Sequence, residues 1–77
     1  MSERIINEKD YYSFVEQAEN LVINNPSLRL GQCLFNIFFE NYPDIINKIK
    51  NTDKDPFYNN NNIVKFLNYI KKHVNYY

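Results

Sequence analysis

The run from Ser27 to Asn41, SLRLGQCLFNIFFEN, constrains this chain more than any other. Wound at about 100° per residue, Leu28, Leu30, Leu34, Phe35, Ile37, Phe38 and Phe39 cover most of a helix circumference. Arg29, Gln32, Asn36 and Glu40 form the remaining polar stripe. A helix apolar on most sides has to be wrapped by its neighbours. The pattern therefore predicts a central helix over 27–41, capped by Ser27 directly after Pro26. Gly31, the only glycine, falls inside it, at a cost of about 1 kcal/mol relative to alanine. Another segment packed against that bare backbone would offset the cost.

The flanking stretches read as shorter helices. From about Lys9 to Ile23, residues Tyr11, Phe14, Val15, Ala18, Leu21 and Val22 share one face, with Asn7 or Asp10 as cap and acids in the first turn. Asn24-Asn25-Pro26 ends that helix, because the residue before proline avoids helical angles. Pro43 suits the first position of a short third helix reaching about Lys50, with Ile45, Ile46 and Ile49 inward. Asn51 to Asn61 is a long connection of turn-forming residues, including DPFY and four consecutive asparagines. A last helix, about Asn62 to Asn75, places Ile63, Phe66, Leu67, Ile70 and Val74 on one side. No stretch alternates with period two. The expected fold is all-α: a compact four-helix orthogonal or irregular bundle with a long ordered loop before the last helix. It forms one domain over 1–77, fraying at 1–8 and 76–77.

Composition narrows the class. Seventy-seven residues lie near the lower limit for a self-supporting core, and an aromatic content of 17% supplies large buried areas per residue. Net charge is zero, yet residues 1–25 carry a net −3 and residues 45–77 a net +4. One cysteine, Cys33, allows no intrachain disulfide and fits a reducing compartment. Neither a signal peptide nor a membrane span is legible, so the expectation is a protein of the cytoplasm.

A resemblance is carried by LGQ-x-LFN at Leu30–Asn36, Pro43, Thr52, DPFY at Asp55–Tyr58, Ile63 and Phe66-Leu67. Together these residues resemble a recurrent type of short protein from phages, prophages and mobile elements. The likeness runs from about residue 28 to about residue 70. That family has no established activity, so no catalytic residue carries over. The resemblance implies a setting: small accessory proteins made by mobile DNA and aimed at host machinery, here in the host cytoplasm. The acidic first helix and the tyrosine-rich tail lie outside it.

Each chemical feature has a structural reading beside a functional one. Gln32 and Asn36 stand one turn apart and suit a latch for a crossing loop, since buried amides are usually paired internally. They would equally recognise a ligand amide or a base edge. Asp55 reads as a turn starter, Pro56 as a restraint and Phe57 as an apolar anchor, so the DPFY loop is expected over 29–36, bonded to Gln32 or Asn36. An EF-hand reading of Asp53, Asp55 and Asn59 fails, because Tyr58 and Val64 replace the required glycine and glutamate. On the last helix, Lys65, Tyr69, Lys72 and Tyr76 form a stripe flanked by His73. Such lysines meet phosphates while tyrosines stack on bases, though the same pattern borders any buried helix face.

No catalytic constellation, cofactor motif or metal-ligand spacing can be assembled from one histidine and one cysteine. The leading reading is a non-enzymatic protein-binding module, a stoichiometric effector or inhibitor of a host protein, with self-association also open. Seven tyrosines exceed what so small a core absorbs, and tyrosine is enriched at interfaces. The alternative is a nucleic-acid-binding accessory protein using the last helix.

Overall fold

Asn7 opens the first helix by local chemistry. Its Oδ1 accepts a hydrogen bond from the Lys9 N–H at 2.8 Å, satisfying one donor that a helix start leaves unpaired. In the computed structural model, which describes residues 5–75, helix α1 then runs Glu8–Asn24. Tyr11, Phe14 and Ala18 are buried, and Val15 and Val22 pack beside them. Leu21 and Ile23 remain exposed.

Helix α2 spans Leu30–Asn41 and buries Gly31, Cys33, Leu34, Phe35 and Phe38. Its start differs from the expected one. Ser27 does not cap it: the Ser27 hydroxyl donates to Asn25 Oδ1 at 2.7 Å, and Arg29 occupies the cap position without a side-chain cap bond. Gly31 is thus the second helical residue, not an interior one. Tyr42 breaks the chain, and α3 (Pro43–Asn47) follows with proline in its first turn. Ile45, Ile46 and Ile49 are buried as their spacing predicts.

Helix α4 covers Ile63–Lys71, shorter than the expected 62–75. A turn at Lys72 and His73 leads into a strand, β2 (Val74–Asn75), which pairs in parallel with β1 (Ile6–Asn7). Ile6 faces Val74 in register, and the Ile6 N–H donates to the His73 carbonyl at 2.7 Å. This corrects two expectations. The described residues are mostly helical but include a two-stranded ladder, and the stretch 5–8 is no frayed lead, since Ile6 is fully buried. Periodicity cannot reveal a two-residue strand. No helix among the described residues is long and apolar enough to cross a membrane.

Phe38 sits at the centre. Its ring meets Phe14 edge-on at 5.3 Å and Phe66 edge-on at 5.7 Å, with Tyr11 tilted at 6.1 Å. Such pairs add to area burial in a domain with little core to spare. Two tyrosine hydroxyls tie distant elements. Tyr42 donates to Asp10 Oδ2 at 2.7 Å, and Tyr69 donates to the Ile45 carbonyl at 2.8 Å. Replacing Phe38 by Ala should cost about 3–5 kcal/mol, enough to unfold a marginal domain. Ile23→Ala, on an exposed site, should leave the urea midpoint nearly unchanged; equal midpoints for both variants would move the core elsewhere.

Candidate functional site

The connection between α3 and α4 is built from its own polar side chains. The Thr52 hydroxyl donates to the Ile49 carbonyl at 2.6 Å and accepts from the Lys54 N–H at 3.2 Å. Asn51 adopts a left-handed conformation, φ 65°, which asparagine tolerates better than most residues. Asp55 is only 8% exposed, and its carboxylate accepts from the Asn51 N–H at 2.7 Å and the Phe57 N–H at 2.9 Å. A buried charge needs such partners. Asn62 Nδ2 donates to the Asp55 carbonyl at 3.1 Å, and Asn59 caps a single 3-10 turn, Asn60–Asn62.

This loop is clamped onto the start of α2. A Cβ on Gly31 would collide with the Pro56 carbonyl oxygen, so only glycine admits the loop there. The Gly31 N–H, unpaired within its helix, donates to Asn60 Oδ1 at 3.0 Å. Arg29 Nη2 donates to the Phe57 carbonyl at 3.3 Å, and the Phe57 ring meets Phe35 edge-on at 5.6 Å. The DPFY segment therefore crosses the expected part of α2, with Asp55 as turn acceptor and Phe57 as partly buried anchor. The polar half of the latch is different. Arg29 and Asn60 supply it, whereas no bond joins the loop to Gln32 or Asn36. Gln32 is half-buried and Asn36 is exposed.

Beside the clamp lies a groove of about 270 Å³ lined by Phe35, Asn36, Phe39, Lys50, Asp55 and Tyr58, among others. Phe35 and Phe39 are stacked, 5.6 Å apart and 20° from parallel. Tyr58 is 79% exposed and leans on Phe57, its ring centroid 4.6 Å away. Lys50 Nζ stands 5.8 Å from the Phe39 ring centroid, within cation–π range. Asn51 completes the rim. Lys50 and Asn51 carry no signal in the sequence, because only the tertiary fold brings them against α2, whereas Tyr58 is legible only as one of seven tyrosines too many for the core. The visible signal was the Phe35–Phe39 pair bordering Asn36.

The stripe on the last helix is dispersed by comparison. Tyr69 is half-buried with its hydroxyl on Ile45, and its ring meets His73 at 4.9 Å. Lys65 pairs with Asp53 at 3.3 Å across solvent, a contact of small worth. Lys72 and His73 lie in the turn after α4 rather than on its face. Tyr76 lies outside the described residues. Cys33 is buried and free, and among the described residues no group of three His, Cys, Asp or Glu side chains could hold a metal ion. The chain matches no known protein family, no curated protein and no solved structure.

The clamp can be tested directly. Gly31→Ala should destabilise by about 1–3 kcal/mol through overpacking, despite alanine's higher helix propensity. Asn60→Ala should cost about 1 kcal/mol as a lost cap, while Asn60→Asp should hold stability by keeping the acceptor and favouring the helix dipole. Urea unfolding separates these outcomes; a Gly31→Ala variant more stable than wild type would refute the close approach.

Proposed function

We propose that the protein is a small, non-enzymatic protein-binding module. In this reading it is an accessory protein of the phage or mobile-element kind, acting stoichiometrically as effector or inhibitor of a host protein in the host cytoplasm. One observation carries the reading: after the core is filled, an aromatic groove edged by amides and one lysine stays open to solvent. Aromatic side chains around a recess, here with Tyr58 exposed and Phe39 and Phe57 partly buried, are a composition that protein interfaces favour. The zero net charge is also compatible with it.

Nucleic-acid binding through α4 is less well supported. Tyr69, the described tyrosine of that stripe, already uses its hydroxyl within the fold. Lys65 stands beside Asp53 and Lys72 lies in the turn after α4, so the cations do not line up as one stripe to follow phosphates.

A tagged protein incubated with host lysate, with and without nuclease, tests the reading. A protein captured equally in both, then shown by calorimetry of the purified pair to bind one to one, is the expected result. Capture abolished by nuclease would favour the alternative. So would oligonucleotide binding that survives physiological salt and falls in the Lys65→Ala/Lys72→Ala double variant.

A further inference from the structure

We infer that the groove between α2 and the clamped loop receives an extended acidic peptide segment of another protein, which inserts one large apolar side chain and sets a neighbouring carboxylate on Lys50. The inference rests on the protein-binding reading above and names what the site takes.

Charge carries the argument. Asp55 is the acid lining the groove, and both its oxygens are held by the backbone N–H groups of Asn51 and Phe57. Lys50 is the cation lining it. Among the described residues no carboxylate forms an ion pair with it. Its ammonium rests over the Phe39 ring, a position that holds the charge at the rim while leaving donors free for an acid. Glu40, one turn beyond Asn36 on the same stripe, does not line the groove. The groove thus carries one charge of each sign, but Asp55 is buried with both oxygens engaged, whereas Lys50 is exposed at the mouth without an ion-pair partner among the described residues. The charge open to an occupant is positive and favours a carboxylate there.

Shape and polarity set the rest. Phe35, Phe39, Phe57 and Tyr58 form an apolar recess of about 270 Å³, smaller than typical small-molecule pockets and suited to one large side chain. Asn36 and Asn51 line the rim, and among the described residues their side-chain amides have no hydrogen-bond partner. Each offers a donor and an acceptor to an extended backbone. A nucleic acid would meet one lysine here, too small a footprint for a phosphate chain.

The probe is a fluorescein-labelled peptide that alternates aspartate with phenylalanine and leucine, titrated into isotope-labelled full-length protein. Shifts should concentrate on the Asn36 and Asn51 amides, Phe39, Lys50 and Tyr58. Lys50→Glu should weaken binding by about tenfold or more and reverse the preference toward a matched peptide carrying lysine for aspartate. Both variants needed, Lys50→Glu and Tyr58→Ala, alter exposed residues, and thermal melts should stay at the wild-type value. The inference is overturned by shifts confined to another face or by no binding at millimolar peptide. It is equally overturned by undiminished binding of a peptide with asparagine for aspartate, or by displacement with oligothymidylate. Concentration-dependent shifts at the groove without peptide would assign it to a second copy instead. A host protein whose capture is unaffected by Lys50→Glu and Tyr58→Ala would refute this site while leaving the protein-binding reading intact. A lysate yielding no protein partner would refute that reading itself.

Discussion

The contact of the Pro56 carbonyl with the bare backbone of Gly31 is what the loop side of the molecule hangs on. A helix start leaves N–H groups without partners, and here one is met from a distant segment, by Asn60. Because the loop can come so near, Phe57 reaches Phe35 and Arg29 reaches the Phe57 carbonyl. Tyr58 is then held up as one wall of the groove. Each of these interactions is modest alone. Their effect is geometric, since a long connection in a small domain needs several fixing points.

Tyrosine performs a related task elsewhere in the fold. Tyr42 is buried, yet its hydroxyl accepts from the Asn7 N–H at 3.4 Å and donates to Asp10. It thereby joins the start of α1 to the corner between α2 and α3. Tyr69 does the same between α4 and α3. A phenol offers a large apolar body and one polar end, so each ring fills core space and locks two elements at once. In a chain with few residues to spend on packing, this double use explains how short helices such as Pro43–Asn47 are held.

How much of this was legible in the sequence depends on the range of the interaction. Helix positions and inward faces followed from spacing, as with Phe14, Leu34 and Ile70. The demand that something approach Gly31 closely was also legible, as was the turn chemistry of Asp55. The partner of Gly31 was not. Four consecutive asparagines look equivalent in the sequence, and only the path of the loop selects Asn60. Ser27 carried the right capping chemistry at a position where the chain was still turning, so its hydroxyl went to Asn25. Amphipathic spacing extended the last helix too far, because Val74 is partly buried and pairs with Ile6 in a ladder rather than lying on a helix face. On the candidate site, Phe35, Asn36 and Phe57 were visible in the sequence, whereas Lys50 and Tyr58 became partners only through tertiary return.

The parallel pairing of Ile6 with Val74 also bears on how the chain is made. Ribosomes deliver residues in order, and helices form locally and fast. Ile6, however, obtains its backbone partner only after residues 73–75 have emerged. Until then a fully buried isoleucine and the entry into α1 stay open to solvent, and closing so long a loop is slow relative to local contacts. The pairing of Ile6 is therefore a late step, and a nascent chain stalled before His73 would lack the tie between β1 and the 73–75 segment.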